Sequence, residues 1–402
     1  MRMETYIRKG LGLQAHWVAH VEETARALVA HVERLGRRRL RCGCCGRPVK
    51  ATKGLTRKAR RWRDLSMGGQ WLVISYRPWR VRCPVCGVRT EQVPWADPRA
   101  RMTRRLAQAV AVMAKDRNWK ATARFFELDW KSVAAIVKRA VERGLARRKL
   151  KPIRVIGIDE VSRKKGHHYL TLVYDLARGQ LLWVGEGRTE ETVNGFFEWL
   201  GPRRSRHLQV VCLDMWAPYL KAVQRHAPQA IAAFDRFHVV RHLNEAVDEV
   251  RRTLWRTLSG PLRQAVKGTR FVLLKNPWNL TPSQKGQLNV LIRTNNPLSR
   301  AYYLKEDFQL FWKYRYPAWA RKHIKHWLWW ASHSRLRPFK RFSRLIREHL
   351  PGILAWTRIR VTNGALEGMN NKVKLVSHNA FGFRNVENYK AAIYHVCGNL
   401  PM

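Results

Sequence analysis

Five clustered thiols and three widely separated carboxylates are the side chains of this 402-residue chain whose types and spacing suggest chemistry. Cys42, Cys44 and Cys45 stand together in RCGCCGRP, and Cys83 and Cys86 in CPVCGV, while Cys212 and Cys397 are solitary. Cys42 with Cys45, and Cys83 with Cys86, form two C-x-x-C pairs, each followed by Gly. Such a turn aims two thiolates at one ion, and two turns complete a tetrahedral structural zinc site. Cys44 is the odd thiol; it can replace Cys42 or Cys45 as ligand, or take no part. A disulfide reading is weak for a cytosolic chain. The long interval between the pairs suggests a hairpin, with WLVISYRPWRVRC as its return strand.

The carboxylates are Asp159 after the apolar run VIGI, Asp214 after VVCL, and Glu367, the one acid in TNGALEGMNNKVKLVSHNAFGFRN. Carboxylates at strand ends of an open sheet sit at its rim, where sites form. Hard divalent cations need oxygen ligands, and a pair of such ions clamps the attacking and leaving oxygens of phosphoryl transfer. Either Asp alone is explained equally well as an acid terminating a strand. Both together, in a region poor in acids, weaken that explanation. Rival acids are less attractive. Glu160 follows Asp159 on a strand and is expected to face the other way, and Glu387 reads as part of a polar turn.

These groups need elements to hold them. VAHVEETARALVAHVERL suits one helix by its Ala and Glu content and equally suits two short strands about a polar turn. After Pro98 apolar residues fall at helical spacing. KATARFF (120–126) and WKSVAAIVKRAV (130–141) flank ELD, about the length of the turn in a helix-turn-helix, with Asp129 as N-cap of the second helix. That helix would bury Val133, Ile136 and Val137 and expose Lys131 and Lys138, as a DNA-recognition helix does. A plain helical bundle is the alternative. From Arg154 the pattern turns to strands: RVIGIDEV, HHYLTLVYDL and GQLLWVGEG. A capped helix follows in TEETVNGFFEWLG, then strand LQVVCLDMW, helix PYLKAVQRHAP, strand AIAAFD and helix FHVVRHLNEAVDEVRRTL. Three antiparallel strands followed by alternating helix and strand give a mixed sheet with helices against it. Residues 251–350 have only Glu306, Asp307 and Glu348 as acids and read as a basic, mostly helical insertion. Trp312, Trp319, Trp327, Trp329 and Trp330 read chiefly as a Trp-rich helical core, with stacking on bases at a cut DNA end as the alternative.

Charge names the partner class. The chain has 78 Lys and Arg against 28 Asp and Glu, a formal net charge of +50. Residues 1–150 and 151–402 each carry half of that excess, so it is no basic tail on a neutral body. Self-repulsion on this scale destabilises a folded chain unless a polyanion answers it, and nucleic acid is the leading candidate. No amphipathic anchor points to a membrane surface. No apolar run approaches the ~18 residues of a transmembrane helix. The opening MRMETYIRKG lacks the apolar segment of a signal peptide, so a cytoplasmic location at the nucleoid is expected.

The ordered combination of these motifs resembles the DDE transposases of bacterial insertion sequences, of the ISL-three family. The matching elements are the paired C-x-x-C region, the helix-turn-helix, GIDE (157–160), CLDMWAPY (212–219), FDRFHVV (234–240) and NGALEGMNNKVK (363–374) with the AFGFRN that follows. They cover nearly the whole chain. The CGCC segment departs from the simpler CPxC expected there. The resemblance implies an α/β multidomain protein whose ribonuclease-H-like catalytic core is split by a helical insertion and preceded by a zinc ribbon and a helix-turn-helix. The expected divisions are a zinc-binding domain (1–97), a helix-turn-helix domain (98–150), the first part of the core (151–250), the insertion (251–350) and the last part of the core (351–402). It also implies a catalytic triad of Asp159, Asp214 and Glu367 holding two Mg2+ (or Mn2+) ions. FDRFH resembles an Asp-x-x-His element, which places Asp235 and His238 near the site.

Glu367 can lie beside the two Asp residues if a helix capped by Thr362 or Asn363 packs on the sheet. Asn370, Asn371, Lys372 and Lys374 would then line the approach for phosphates, with Arg384 as a further DNA contact. The function implied is cleavage at the element's terminal inverted repeats and strand transfer into target DNA, by at least a dimer on double-stranded DNA. A non-catalytic zinc and helix-turn-helix regulator leaves the three carboxylates unexplained. A transposase repurposed as a nuclease shares the triad but lacks strand transfer.

Overall fold

The computed structural model describes residues 3–13, 15–35, 40–49, 52–164, 166–234, 236–294, 296–359 and 364–401. The chain divides into two compact units, Met1–Arg147 with Leu400–Met402, and Arg148–Asn399.

In the first unit a helix, Met3–Gly10, precedes two antiparallel strands, His16–Glu23 and Ala27–Arg34. Of the two sequence readings left open here, the strands prevail. Thr24 closes the turn, donating its Oγ1 hydroxyl to the Ala27 carbonyl at 2.8 Å and accepting from the Ala27 N–H at 3.0 Å. Ala27–Arg34 then pairs in parallel with Trp71–Tyr76, which pairs with Arg60–Arg63 to complete a four-stranded sheet. The expected single return strand does not form. WLVISYRPWRVRC breaks into Trp71–Tyr76 and Trp79–Cys83, which belong to different sheets. Pro78 sits at the break; it has no N–H to give a ladder. Trp79–Cys83 joins a small sheet with Thr52–Leu55 and Gly87–Thr90. Glu91 fastens the two sheets. Though buried, its carboxylate accepts from Tyr76 Oη at 2.6 Å, the Trp79 N–H at 2.7 Å and Arg34 at 2.7 Å. A buried carboxylate is tolerable only with such a full set of donors.

Three helices complete this unit: Arg104–Asp116, Trp119–Phe125 and Trp130–Arg147. Side chains cap all three, as short helices need to satisfy their first N–H groups. Thr103 accepts from Leu106, Asn118 from Ala121, and Asp129 from the Lys131 N–H at 2.7 Å. Val133, Ile136 and Val137 are buried as expected. Lys131 is exposed, but Lys138 is half-buried, and Arg139 beside it takes the open position.

The second unit is built on a five-stranded sheet. Its strands are β1 (Val155–Lys164), β2 (His168–Asp175), β3 (Gln180–Glu186), β4 (Val210–Leu213) and β5 (Ile231–Phe234). Their order is β3-β2-β1-β4-β5, with the first three antiparallel and β1, β4 and β5 parallel. Crossover helices α1 (Glu190–Leu200) and α2 (Ala217–His226) bury one face of the sheet, against Ile156, Ile158 and Val173. Helix α3 (Arg236–Thr257) leaves β5 and runs without a break into a helical assembly extending to Glu348. That assembly has its own core, which includes Trp312 and Trp327, whereas Trp319 and Trp329 stay exposed. Trp330 packs half-buried against the core.

The chain then returns to the sheet. Helix α4 (Leu350–Ile359) lies on β5, and α5 (Gly364–Asn379) with α6 (Val386–Cys397) covers the second face against Val161, Leu170, Leu172 and Tyr174. Gly157 lets α5 come close, because a Cβ there would overlap Leu366. The strand carrying Asp159 does not end in acid, as its sequence suggests. It continues to Lys164, because β2 pairs along it throughout. Glu387 lies in the first turn of α6, paired with Lys390 at 2.9 Å, and not in a polar turn. Asn385 caps that helix.

Candidate active site and metal centre

The thiol site follows from two tight turns. Gly46 and Gly87 close the C-x-x-C segments at φ +72° and +71°, values that residues with a Cβ rarely adopt. The sulfurs of Cys42, Cys45, Cys83 and Cys86 all lie within 4.8 Å of one another. Cys45 and Cys83 are 3.6 Å apart. Tetrahedral Zn–S bonds of about 2.3 Å require S···S separations near 3.8 Å, so the set fits zinc, whereas a disulfide would need about 2.05 Å. Four thiols this close cannot all ionise unaided. Backbone N–H groups of Cys86 and Val85 draw Cys83 down to about 7. The hydrogen bond with Cys45, together with burial, pushes Cys86 up. Cys44 stays outside the set; its N–H donates to Cys42 Sγ at 3.4 Å and its side chain is exposed.

The carboxylate site is assembled from β1, β4, α3 and α5. Parallel pairing of β1 with β4 ends at Gly157 opposite Cys212. Asp159 and Asp214 each follow two residues later, so the register carries both carboxylates to the same end of the parallel pair. Asp159 faces α5. Its Oδ1 accepts from the Glu160 N–H at 2.7 Å, and its Oδ2 accepts from Asn370 Nδ2. Tyr174 in turn donates to Asn370 Oδ1 at 3.0 Å, in a buried relay. Burial raises the Asp159 carboxyl above its usual range, and the Asp214 charge adds to the rise. The Glu160 N–H, His238 and Asn370 oppose it. Asp214 Oδ1 accepts from the Met215 N–H at 2.7 Å. Its Oδ2 lies 3.3 Å from His238 Nδ1 and 3.6 Å from Arg241, both on α3.

Glu160 points to the opposite face, as strand alternation requires, and pairs with Arg188 at 3.5 Å. Burial raises it as well, with Asp159 contributing. Arg188 is stacked between Tyr169 and Trp216, 4.5 and 4.9 Å from the ring centres.

The structure therefore brings Asp159, Asp214 and His238 together. Glu367 stands exposed in the first turn of α5, one turn before Asn370. Among the described residues, the four thiols form the one group of three or more His, Cys, Asp or Glu ligands drawn within metal-binding reach. Glu367 is thus on the helix that reaches Asp159, but its carboxylate is not gathered with the other two. Lys372, Lys374 and Arg384 are exposed. Asp235 and the proposed caps Thr362 and Asn363 lie outside the described residues. Sequence reasoning missed Tyr174 and Arg241, and gave Asn370 a phosphate-facing role. The three-residue step from Glu367 to Asn370 was the available signal, since it puts both on one helix face.

Comparison with known proteins agrees with this architecture. A family model described as transposase matches residues 156–393, the span that holds the sheet, the insertion and α5. A second, the helix-turn-helix domain of transposase family ISL3, matches residues 91–141. The chain belongs to the ISL3 family of transposases. It is 35% identical over 350 residues to the transposase for insertion sequence element IS1001 of Bordetella parapertussis, covering 86% of each chain. It is 31% identical over 391 residues to the transposase for insertion sequence element IS1557 of Mycobacterium tuberculosis, covering 90% of this chain and 86% of the relative. No helix among the described residues is long and apolar enough to cross a membrane.

Proposed function

We propose that this chain binds the ends of its own insertion sequence and cuts and joins DNA there by two-metal phosphoryl transfer. The observation that carries this reading is the placing of Asp159 and Asp214, two residues beyond the last paired positions of neighbouring parallel strands. The β3-β2-β1-β4-β5 order supports a ribonuclease-H-like core. Asp159, Asp214 and Glu367 would hold two Mg2+ or Mn2+ ions. Oxygen donors suit these ions, and a bound cation would offset the burial that raises the Asp159 carboxyl. When bound, the ions stabilise the attacking and leaving oxygens of an in-line displacement.

The protein's own groups do the positioning. His238 and Arg241 fix one oxygen of Asp214. Asn370, braced by Tyr174, fixes one of Asp159. Lys372, Lys374 and Arg384 meet the phosphates near the cut. Lys131, with Arg139 in the open position beside the half-buried Lys138, would place the recognition helix in the major groove. The zinc turns hold the N-terminal module. Water is the nucleophile in cleavage, and the freed 3′ hydroxyl attacks the target phosphate in joining. No covalent protein–DNA bond is needed. Holding two ends in one complex takes at least two copies of the chain. The work is done at the nucleoid, in the cytoplasm.

Asp214→Ala tests the reading. It should bind terminal DNA as tightly as wild type, with the steep salt dependence of counterion release. Its Mg2+-dependent cleavage should fall on the order of a thousandfold or more, several kcal/mol in barrier. Cleavage at the wild-type rate overturns the assignment.

A further inference from the structure

Arg188 stands beside the strand ends that carry Asp159 and Asp214, and the chemistry described so far gives it no task. It lies in the short link between β3, which ends at Glu186, and α1, which begins at Glu190. The backbone on either side is pinned. The Gly187 N–H donates to the Tyr169 carbonyl at 2.9 Å, the Gly187 carbonyl accepts from Thr171 Oγ1 at 2.7 Å, and Thr189 caps α1. The side chain is held by residues that closely follow each aspartate. Glu160, next after Asp159, pairs with the guanidinium at 3.5 Å. Trp216, which follows Met215 after Asp214, stacks on it and also donates from Nε1 to the Arg188 carbonyl at 3.2 Å. Glu160 is close enough to Asp214 and His238 for their charges to act on it, so the Glu160–Arg188 pair borders the carboxylate site.

The guanidinium is held in place without its donors being used up. An arginine that serves only the fold spends its N–H groups on carbonyls, as Arg148 does on those of Leu181 and Leu182 at 3.0 and 2.8 Å. Arg188 is arranged differently. Among the described residues, Glu160 is its one ionic partner, and 3.5 Å exceeds the reach of about 2.7–2.9 Å of a full charge-assisted bond. A guanidinium carries five donors in a planar fork, and one carboxylate engages two of them at most. Stacking on Tyr169 and Trp216 fixes the plane of the fork and uses no donor. The side chain is 34% exposed, so a ligand can reach it from solvent. The fork matches two oxygens of one phosphate, and the carboxylate site it borders is where a phosphate must come.

We propose that Arg188 is a catalytic residue of strand cleavage: its guanidinium grips the non-bridging oxygens of the phosphate being cut, with Glu160 and Trp216 as positioning residues. This rests on the proposed cleavage at DNA ends and deepens it. In that step water attacks phosphorus and loses a proton. The bond from phosphorus to the 3′ oxygen breaks, and that oxygen leaves with the electron pair and takes up a proton. The products are a 3′ hydroxyl and a 5′ phosphate. Arg188 gives up no proton, since a guanidinium stays charged in proteins. It holds the charge on the oxygens that remain on phosphorus, as preorganised donors do at a transferring phosphoryl group.

The test uses the full-length protein in excess over duplexes carrying the element's end, so that each rate is that of bound DNA. Binding is read by anisotropy without Mg2+, which keeps the DNA intact. Arg188→Ala should bind within a few-fold of wild type and, with Mg2+, cut about a hundredfold more slowly, the scale of one lost donor to a developing charge. Added guanidinium chloride should restore part of that rate, about tenfold, by filling the slot left between Tyr169 and Trp216. Urea, similar in shape but neutral, and sodium chloride at equal ionic strength should not. Arg188→Lys keeps the charge but not the fork; it should keep the wild-type melting temperature and cut about tenfold more slowly. Wild-type cutting by either variant overturns the assignment. So does a loss of binding that accounts for the whole loss of cutting, or a folded Arg188→Ala that guanidinium does not rescue. If Arg188→Ala melts well below wild type, the lysine variant decides. Failure of the cleavage reading looks different: wild type itself then shows no Mg2+-dependent cutting. A wild type that cuts, with Arg188 variants that keep pace, removes the role of Arg188 alone.

Discussion

The four thiols between Cys42 and Cys86 and the three carboxylates from Asp159 to Glu367 are both candidate metal sites, yet the folded chain treats them differently. The thiols are already gathered, all within 4.8 Å of one another. Of the carboxylates, Asp159 and Asp214 are drawn together and Glu367 stands apart. Chain geometry explains part of this, because each thiol pair is set by one tight turn and needs only two turns to meet. Electrostatics explains the rest. Protonated thiols are neutral and can approach without a cation, whereas carboxylates repel and each must find its own donor. Asp159 has taken Asn370 and the Glu160 N–H, and Asp214 has taken His238 and the Met215 N–H. A structural site is closed by the fold itself; a catalytic site keeps positions that ions and substrate must complete.

The sharpest way to break this contrast is Glu367→Gln. A neutral amide is a weaker ligand for a hard cation than a carboxylate. Cleavage of the element's ends with Mg2+ should therefore fall on the order of a thousandfold. Glu387→Gln, a first-turn acid on the neighbouring helix, should keep activity. An active Glu367 variant would show that the third carboxylate lies elsewhere.

The closed site should respond in stability instead. Metal analysis should find one zinc in the thiol site, as a four-ligand site requires. Cys83→Ser with Cys86→Ser should release it and disorder the N-terminal unit, seen by proteolysis and by loss of near-ultraviolet dichroism. Full zinc retention in that double variant would remove the assignment.

A smaller effect is expected from Asn370→Ala, which takes the amide from Asp159 and leaves the Tyr174 hydroxyl without its acceptor. Unfolding by denaturant should register a loss of about 1–3 kcal/mol, the cost of stranding a buried polar partner. An unchanged midpoint would mean that the relay adds nothing.

The smallest signal is a slope with pH. Burial raises the carboxyls of Asp159 and Glu160 in the folded chain. Between the ordinary carboxylate pKa of about 4 and the raised ones, the folded state holds protons the unfolded chain has lost. Stability in divalent-free buffer should then fall as pH rises through that window. Asp159→Asn should flatten the fall in melting temperature, and an unchanged slope would exclude Asp159 as its source.

Much of this is legible in the amino-acid sequence. The C-x-x-C turns are local, and their glycines announce the left-handed residue that closes each one. The alternation of strands and helices from Arg154 to α3 followed from apolar runs and caps. Both Asp residues stood out as acids after buried apolar runs, though only Asp214 follows the end of its strand and Asp159 lies within β1. What escaped was set by distant partners. Pro78 splits one apolar run between two sheets because Glu91 and different neighbours claim each half. Tyr174 and Asn370 look ordinary alone and matter because α5 docks on β1, where Gly157 makes room. Lys138 is half-buried although its helix position suggested exposure, because neighbouring side chains, rather than periodicity alone, decide how much water a lysine stem sees.

The bond from Asn370 to Asp159 joins residues 211 positions apart. At the roughly 5–20 residues per second of protein synthesis, those residues emerge about 10 to 40 s apart on the ribosome. For that interval β1 and β2 can pair, yet the face that α5 will cover, with Val161, Leu170 and Leu172, stays bare. Until α5 emerges, Asp159 lacks its Asn370 donor and the sheet lacks one of its two covers. The order of synthesis therefore sets a delay of that length between pairing of the first strands and closure of the sheet's second face.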